Sequence, residues 1–307
     1  MNPSTPKKAV VTGGAGFIGS HLTRDLLAQG YEVHVVDNYS GGRIPGRESA
    51  AATYHEGDIC DGALLRNVFE GAHYVFHTAA LPRVQYSLQY PEKTNQANVT
   101  GTLSVLNAAK DAGVRRVVYS ASSSAYGDQD IMPLVETMDA HPKSPYALQK
   151  YIGELYCRLY SEVFGLETVC LRYFNVYGKN ADPHGAYALV IAKFIQQRIE
   201  GKDLTIAGDG THTRDYTHVH DVVRANILSA EKPTVGKGEV MNIGGGKNRS
   251  VNEVAEAIGG PITYVEERLE PKDTLANTAR AKELLGWETT ISFEEGIAEL
   301  KKEANLT

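Results

Sequence analysis

Cysteine is scarce in this chain of 307 residues: Cys60, Cys157 and Cys170 are the only ones, widely spaced and without a CxxC pair. That excludes a disulfide framework and a thiolate zinc site as organising devices. No run approaches the roughly 18 apolar residues that a membrane-crossing helix needs, so no span is expected. Surplus positive charge is lacking too. A net charge of −6 and a pI near 5.9 argue against nucleic acid or an anionic membrane as a partner bound through bulk charge. A small anionic ligand needs only one or two local arginines. The opening stretch MNPSTPKKAVVTGG has no long apolar core, so no secretory leader is expected. Repeats, low-complexity segments and long linkers are also missing. These absences predict a soluble, reduced, cytoplasmic protein.

What is present is ordinary material for a folded core, at 42% hydrophobic and 22% charged residues. The length suits one large domain or two smaller ones. Short apolar runs read as strands: KAVVTG at 8–13, YEVHVVDN at 31–38, YHEGDI, HYVFHTAA, RRVVYSAS and, later, GEVMNIGGG at 238–246. Helix-length segments separate the first five. In FIGSHLTRDLLAQG, Ile18, Leu22, Leu26 and Leu27 form a helical stripe that Gly30 stops. Strand and helix in alternation predict an α/β fold, a doubly wound parallel sheet of Rossmann type. From about 179 the units become shorter and richer in glycine and charge. The expected division is a dinucleotide-binding domain over 1–178 with 217–244, and a smaller α/β substrate-binding domain over 179–216 with 245–307.

TGGAGFIG puts Gly13, Gly16 and Gly19 in G-x-x-G-x-x-G spacing between a strand and a helix, the setting that gives such a motif meaning. Gly13 permits the tight turn, Gly16 lets a pyrophosphate approach the backbone, and Gly19 lets the helix pack on the strand. The helix start, with Phe17 and Ile18, offers N–H groups to phosphate. Asp37 ends the second strand, where a carboxylate accepts ribose hydroxyls and repels a 2′-phosphate. NAD is therefore the expected cofactor rather than NADP. Arg43 nearby weakens that preference.

SPYALQKY holds Tyr146 and Lys150 four residues apart, on one helical face. Among 17 tyrosines such a spacing arises about once by chance, so company decides its meaning. An ammonium and the cationic ring of a bound nicotinamide beside a phenol together favour the phenolate, so that it can act as a base near neutral pH. Pro145 is suited to the first turn of that helix. His212, His218 and His220 alternate as on a strand, and no convergent ligand set is visible, so no metal is expected.

The company is specific. TGGAGFIG, GDI with Asp58, FHTAA with Ala79, NVTGT with Asn98, SASSSAYG, PYALQK, RYFNVYG and RDYTHVHD occur together. Over nearly its whole length the chain resembles the extended short-chain dehydrogenase/reductases, in their nucleotide-sugar epimerase and dehydratase group. The resemblance implies that Ser122, Tyr146 and Lys150 are catalytic, Ser122 bonding the substrate oxygen and relaying its proton. It implies that Asp58 and Ile59 flank the adenine, that Ala79 and Asn98 line the cofactor channel, and that Phe174 sits by the nicotinamide. Asn38 and Ala80 join that shell. Asn175 and Arg214 would hold the nucleotide diphosphate of a UDP-sugar, with Tyr216 near its ribose or base.

The family opens with oxidation at the sugar C4 by NAD, giving a 4-keto sugar. Dehydratases of the group carry Asp-Glu directly after the catalytic serine or threonine, and decarboxylases a glutamate. Here Ser123 and Ser124 stand there, beside the substrate. With no acid for elimination, the resemblance implies a 4-epimerase of UDP-hexoses, with UDP-glucuronate or another nucleotide sugar as the alternative substrate. Thr274 aligns with a gate that is small where N-acetylhexosamines are admitted, and Arg268 with an upstream arginine that contacts substrate, although one residue nearer the gate than usual. Family members dimerise through two helices, here 95–112 and 146–164, so a homodimer is expected. Ile152, Leu155 and Leu159 would supply apolar contacts.

Overall fold

The computed structural model describes residues 6–82, 84–183, 189–266 and 273–306. Strands β1 (Lys8–Thr12), β2 (Glu32–Asp37), β3 (Thr53–Glu56), β4 (Ala72–His77), β5 (Arg116–Ser122), β6 (Glu167–Tyr173) and β7 (Lys237–Ile243) form one parallel sheet in the order β7-β6-β5-β4-β1-β2-β3. Between them run α1 (Phe17–Ala28), α2 (Gly62–Phe69), α3 (Gly101–Asp111), α4 (Pro145–Phe164) and α5 (Val219–Glu231), and α6 (Ala279–Leu285) follows β7. The chain leaves β3 and re-enters beside β1 as β4, so the strand order reverses between β1 and β4. Ligands of open α/β sheets bind at the carboxyl ends of the strands flanking such a point.

Strand side chains alternate between two buried layers. Val11, Val35, Phe76 and Val169 share one cluster with Leu22 and Leu26 of α1, Val223 of α5, and Leu285 of α6. Val10, Val36, Val75 and Cys170 share the other with Leu65 of α2, Leu106 of α3 and Cys157 of α4. A sheet covered on both faces explains the near-continuous apolar strands. The sixth strand is missing from the sequence expectation. Helix α4 ends at Phe164, Gly165 caps it with φ +70, and β6 begins at Glu167. Only Gly165 and Leu166 separate helix from strand.

The smaller lobe has its own core of Phe194, Leu204, Ile206, Val254, Ile258, Ile297 and Leu300. It is built from helices Val190–Ile199, Val251–Ile258 and Phe293–Glu303 and from short strand pairs. Capping boxes Ser250–Glu253 and Ser292–Glu295 start two of these helices. The expected division needs adjustment. Ala281, Leu285 and Trp287 lie in the core of the large lobe, whereas Tyr177 packs in the small one. Trp287 is fully buried and its Nε1–H donates to Asp221 O at 2.9 Å, which draws this segment onto α5.

Arg116, 1% exposed at the start of β5, closes the far end of α5. Its NH1 donates to the carbonyls of Ser229, Ala230 and Lys232 at 2.7–3.0 Å, and Nε and NH2 engage Glu167 at 2.8 and 2.6 Å. A guanidinium there supplies donors to the orphan carbonyls of a helix end and complements its dipole. Arg116→Ala should lower stability by about 3 kcal/mol, because the carbonyls and the carboxylate lose their partner together. Thermal and urea unfolding would check it, and a change within about 0.5 kcal/mol would refute the role.

Candidate active site

The turn after β1 is shaped by close backbone approach. Gly13 has φ +73, and a Cβ on it would lie 2.7 Å from the Ala79 backbone, while one on Gly19 would overlap Gly13 O. Gly16 occupies the N-cap of α1 without any side-chain acceptor, and a Cβ there would meet Gly13 O alone, at 3.0 Å. The first-turn N–H groups of α1 thus face the crevice at the switch point, with Phe17 and Ile18 half-buried behind them. The cradle fits a pyrophosphate.

Asp37 stands at the neighbouring strand end. Its Oδ2 accepts from Ala15 N at 2.9 Å and Oδ1 from Tyr39 N at 2.8 Å. Burial pushes its carboxyl up, against these two bonds. A carboxylate has about four acceptor sites, so both oxygens retain capacity for ribose hydroxyls. Arg43 has other engagements: it lies over the Tyr39 ring at 3.4 Å and pairs with Glu48 and Glu56 at 3.0 and 2.6 Å. Its charge is committed to those carboxylates rather than to a 2′-phosphate. Asn38 donates to Asp58 Oδ2 at 2.8 Å. Burial pushes Asp58 up, but bonds from Cys60 N and Asn38 outweigh it and hold the carboxyl below its usual value. The Ile59 side chain turns inward against Gly101, leaving only its backbone for an adenine.

At the end of β5, Ser122 begins a tight turn over Ser123–Tyr126. Ser124 Oγ donates to Ser122 Oγ at 2.8 Å, so the second hydroxyl orients the first. Across the cleft, Ser144 caps α4 by accepting from Ala147 N at 3.1 Å, with Pro145 in the first turn. Tyr146 is half-buried and Lys150 is 3% exposed. Lys150 Nζ donates to Ser120 O at 2.8 Å and lies 4.8 Å from the Tyr119 ring centroid. Burial pushes Lys150 down to about 8, opposed by Cys157 and Glu154. Burial pushes Tyr146 up, and a hydrogen bond with Ser122 opposes it. Burial thus outweighs the chain's own groups that favour the phenolate. Below Lys150, Glu154 forms a buried bidentate pair with Arg172 at 2.9 and 2.7 Å, which sequence reasoning missed.

Ala79 and Ala80 are half-buried at the cleft, where the chain leaves β4. Asn98 does not line it with its side chain. It sits 1% exposed in a π-helical turn, Gln96–Thr100, a feature common at functional sites. Its Oδ1 accepts from Leu81 N at 2.8 Å, and Nδ2 donates to Leu81 O at 3.2 Å and to Gln149 Oε1 at 2.9 Å. Both amide hydrogens are spent, so Asn98 acts by holding the wall at Leu81. Its carbonyl accepts from Thr102 Oγ1 at 2.7 Å, so His77 Nε2 donates to that hydroxyl, at 2.9 Å, and Nδ1 accepts from Thr12 Oγ1 at 2.8 Å. Burial pushes His77 down to about 3, consistent with this neutral bridge. Phe174 is likewise corrected: it is fully buried among Tyr126, Leu134 and Ala276, backing the site instead of facing a ring.

In the small lobe, Asn175 Nδ2 donates to Asp215 O at 3.2 Å and Thr274 Oγ1 at 3.5 Å, which brings two expected substrate residues together. Arg214 NH1 donates to Thr213 O at 3.0 Å. Asp215 accepts from the N–H groups of Gly245, Gly246 and Ala276. Asp221 accepts from Thr290 and Ile291. The Tyr216 side chain departs from expectation, packing 5.9 Å from Phe293 within the small core. Arg268 lies outside the described residues. Among the described residues, no three His, Cys, Asp or Glu side chains converge as a metal site, and no helix is long and apolar enough to cross a membrane.

Residues 9–244 match the model of the NAD dependent epimerase/dehydratase family. A UDP-glucose 4-epimerase of Mycolicibacterium smegmatis is 38% identical, over 95% of this chain and 96% of its own. The crystal structure of the UDP-glucose 4-epimerase of Thermotoga maritima with UDP-glucose has a TM-score of 0.91 at 37% identity, covering 97% of this chain and 99% of that one. The UDP-N-acetylglucosamine 4-epimerase from Methanobrevibacter ruminantium M1, in complex with UDP-N-acetylmuramic acid, has a TM-score of 0.91 at 36% identity, covering 97% of this chain and 98% of that one.

Proposed function

The chain belongs to the NAD dependent epimerase/dehydratase family, and from that premise we propose that it is an NAD-dependent 4-epimerase of UDP-hexoses. UDP-glucose and UDP-galactose are its substrates, and their N-acetylated counterparts are admitted. The observation that carries this reading is the serine turn: the hydroxyl of Ser124 bonds Ser122 at 2.8 Å, and Ser123 completes a run without a carboxyl group. Elimination needs an acid and a base beside the catalytic serine, whereas epimerisation does not.

Gly13, Gly16 and the start of α1 hold the pyrophosphate of NAD, and Asp37 its adenosine ribose. When bound, NAD supplies a reversible acceptor for the hydrogen at the sugar C4, taken from one face and returned to the other. Tyr146 accepts the proton of the 4-hydroxyl as the carbonyl forms and gives it back when the carbonyl is reduced. Ser122 donates to the same oxygen. Lys150, charged below about pH 8, favours the phenolate by its charge. The keto sugar must turn between the two transfers, so the grip belongs on the nucleotide, and Asn175 and Arg214 serve the diphosphate. Thr274 leaves room beside Asn175 for an acetamido group.

A second copy of the chain is the proposed partner. Leu148, Leu155, Leu159 and Val163 are 46%, 39%, 44% and 61% exposed along one stripe of α4. They continue past Ile152 into a groove lined by Pro91, Glu92 and Asn95. Aliphatic residues so spaced and left in water favour helix-on-helix association. Free thiols at Cys60, Cys157 and Cys170 suit the reducing cytoplasm.

Purified protein given UDP-galactose, UDP-GalNAc or UDP-glucuronate separately should convert the first two to their C4 epimers by proton NMR. A 4-keto-6-deoxy product would mean a dehydratase, and turnover of the glucuronate alone would move the substrate assignment. Tyr146→Phe should cut turnover about a thousandfold while NAD remains bound; near-normal turnover would remove Tyr146 from the mechanism. Thr274→Tyr should reduce N-acetylhexosamine turnover about tenfold more than hexose turnover, and equal losses would place the gate elsewhere. Leu155→Glu with Leu159→Glu should yield a monomer by light scattering, and an unchanged mass would refute the interface.

A further inference from the structure

Helix α4 carries both Tyr146 and Lys150, so its pose relative to the cofactor wall fixes where the base stands. Two buried contacts set that pose, and neither involves a reacting atom. Gln149, 3% exposed, accepts from Asn98 Nδ2 at 2.9 Å and donates through Nε2 to Thr94 Oγ1 at 3.0 Å and Pro91 O at 3.4 Å. Ser87, fully buried, accepts from Tyr146 N at 3.1 Å and donates to Val84 O at 2.6 Å. Thr94 is itself fully buried and donates to Pro91 O at 3.0 Å. Every hydrogen of the Gln149 amide therefore has an acceptor inside the protein, and so does every hydrogen of the Asn98 amide. The closed set joins α4, the π-helical turn and the Leu81 wall.

We infer that Gln149 is a positioning residue for the reaction proposed above: through Asn98 and Thr94 it locks the rotation of α4 against the cofactor wall, so that Tyr146 meets Ser122 and the sugar oxygen. Gln149 and Lys150 are neighbours in sequence and so lie about 100° apart around the helix. One side chain can grip the flanking segment while the next faces the cleft. A closed buried network of this kind has two states, satisfied or broken, because an unpaired amide in a dry interior is costly. Small displacements of a base are expensive in rate, with about 1 Å costing up to a hundredfold. Because Tyr146 and Lys150 ride on the same helix, a slip of α4 leaves their mutual distance intact. It separates Tyr146 from Ser122 and from the nicotinamide ring.

The inference rests on the epimerase reading, and the test separates the two. In the NAD-loaded protein, Gln149→Leu should lower kcat about 10- to 100-fold with KM for the UDP-sugar within about twofold, as expected when an interaction used in the transition state is lost. Thr94→Val, which removes only the Thr94 link, should show a smaller loss in the same direction and guards against misfolding of the first variant. Near-ultraviolet titration of tyrosinate, as the difference from Tyr146→Phe, supplies a readout without turnover. Its midpoint for Tyr146 should rise in Gln149→Leu, because the Ser122 bond and the nearby positive ring both favour the phenolate. A merely structural glutamine would lower Tm and leave this midpoint in place. An unmoved midpoint, or a kcat within about twofold of the parent, overturns the inference. If the parent protein epimerises no UDP-sugar, the epimerase reading fails, and the tyrosinate midpoint alone still decides what Gln149 does.

Discussion

The approach of Gly13 to Ala79, where a single Cβ would sit 2.7 Å from backbone atoms, is the contact on which the site depends. It brings the turn after β1 against the chain leaving β4, the strand across the switch point. Thr78 Oγ1 reinforces it by donating to Thr12 O at 2.7 Å, and His77 bridges Thr12 and Thr102 beneath. With those loops in contact, the ends of β1, β2, β4 and β5 converge on one crevice. Asp37, the glycine turn, the Ala79–Ala80 segment and Ser122 then follow one another along it. A side chain at Gly13 would demand both a disfavoured φ and a displaced neighbour.

Burial does the electrostatic work. The same desolvation that pushes Lys150 down to about 8 pushes Tyr146 up, since each is driven toward its neutral form. Tyr146 alone would then be a poor base, whereas Lys150 keeps its charge below about pH 8. Ser122, Glu154 and a cationic nicotinamide ring each favour a charged form, so the pair becomes competent when the site is assembled. In the proposed reaction, this ties proton transfer to cofactor occupancy. The Glu154–Arg172 pair, with Arg172 also 4.5 Å from the Tyr126 ring centroid, keeps a compensated negative charge one turn beyond Lys150.

Two acidic side chains act as structural hubs between the lobes. Asp215 is fully buried and accepts three backbone N–H groups, against which burial still pushes it up to about 6. Asp221, also fully buried, accepts from Thr290 and Ile291 at the start of the C-terminal helical segment. Asn175 and Thr274 meet across the first of these hubs. The residues proposed to bind substrate therefore inherit their positions from buried carboxylates.

Local chemistry was enough to read much of this from the sequence. Gly13, Gly19, Asp37, Tyr146 and Lys150 depend on turn sterics, strand ends and helical spacing, which are properties of neighbours in the chain, whereas the resemblance to a family singled out Ser122. The alternating runs likewise dictate a parallel sheet covered on both faces. Tertiary structure decided what spacing does not encode. Asn98 and Gln149 are 51 residues apart, and only the fold shows that their amides are joined in one closed network. Phe174 and Tyr216 occupy family motifs, yet both are consumed by cores that form between distant segments. Strand β6 was hidden because only Gly165 and Leu166 separate it from the helix before it, too short a connection to stand out as a loop. Trp287 joined the large lobe for a contact with Asp221 that no local pattern predicts. Local sterics and periodicity are written residue by residue, whereas the pairing of buried polar groups is settled by which segments the completed sheet brings together.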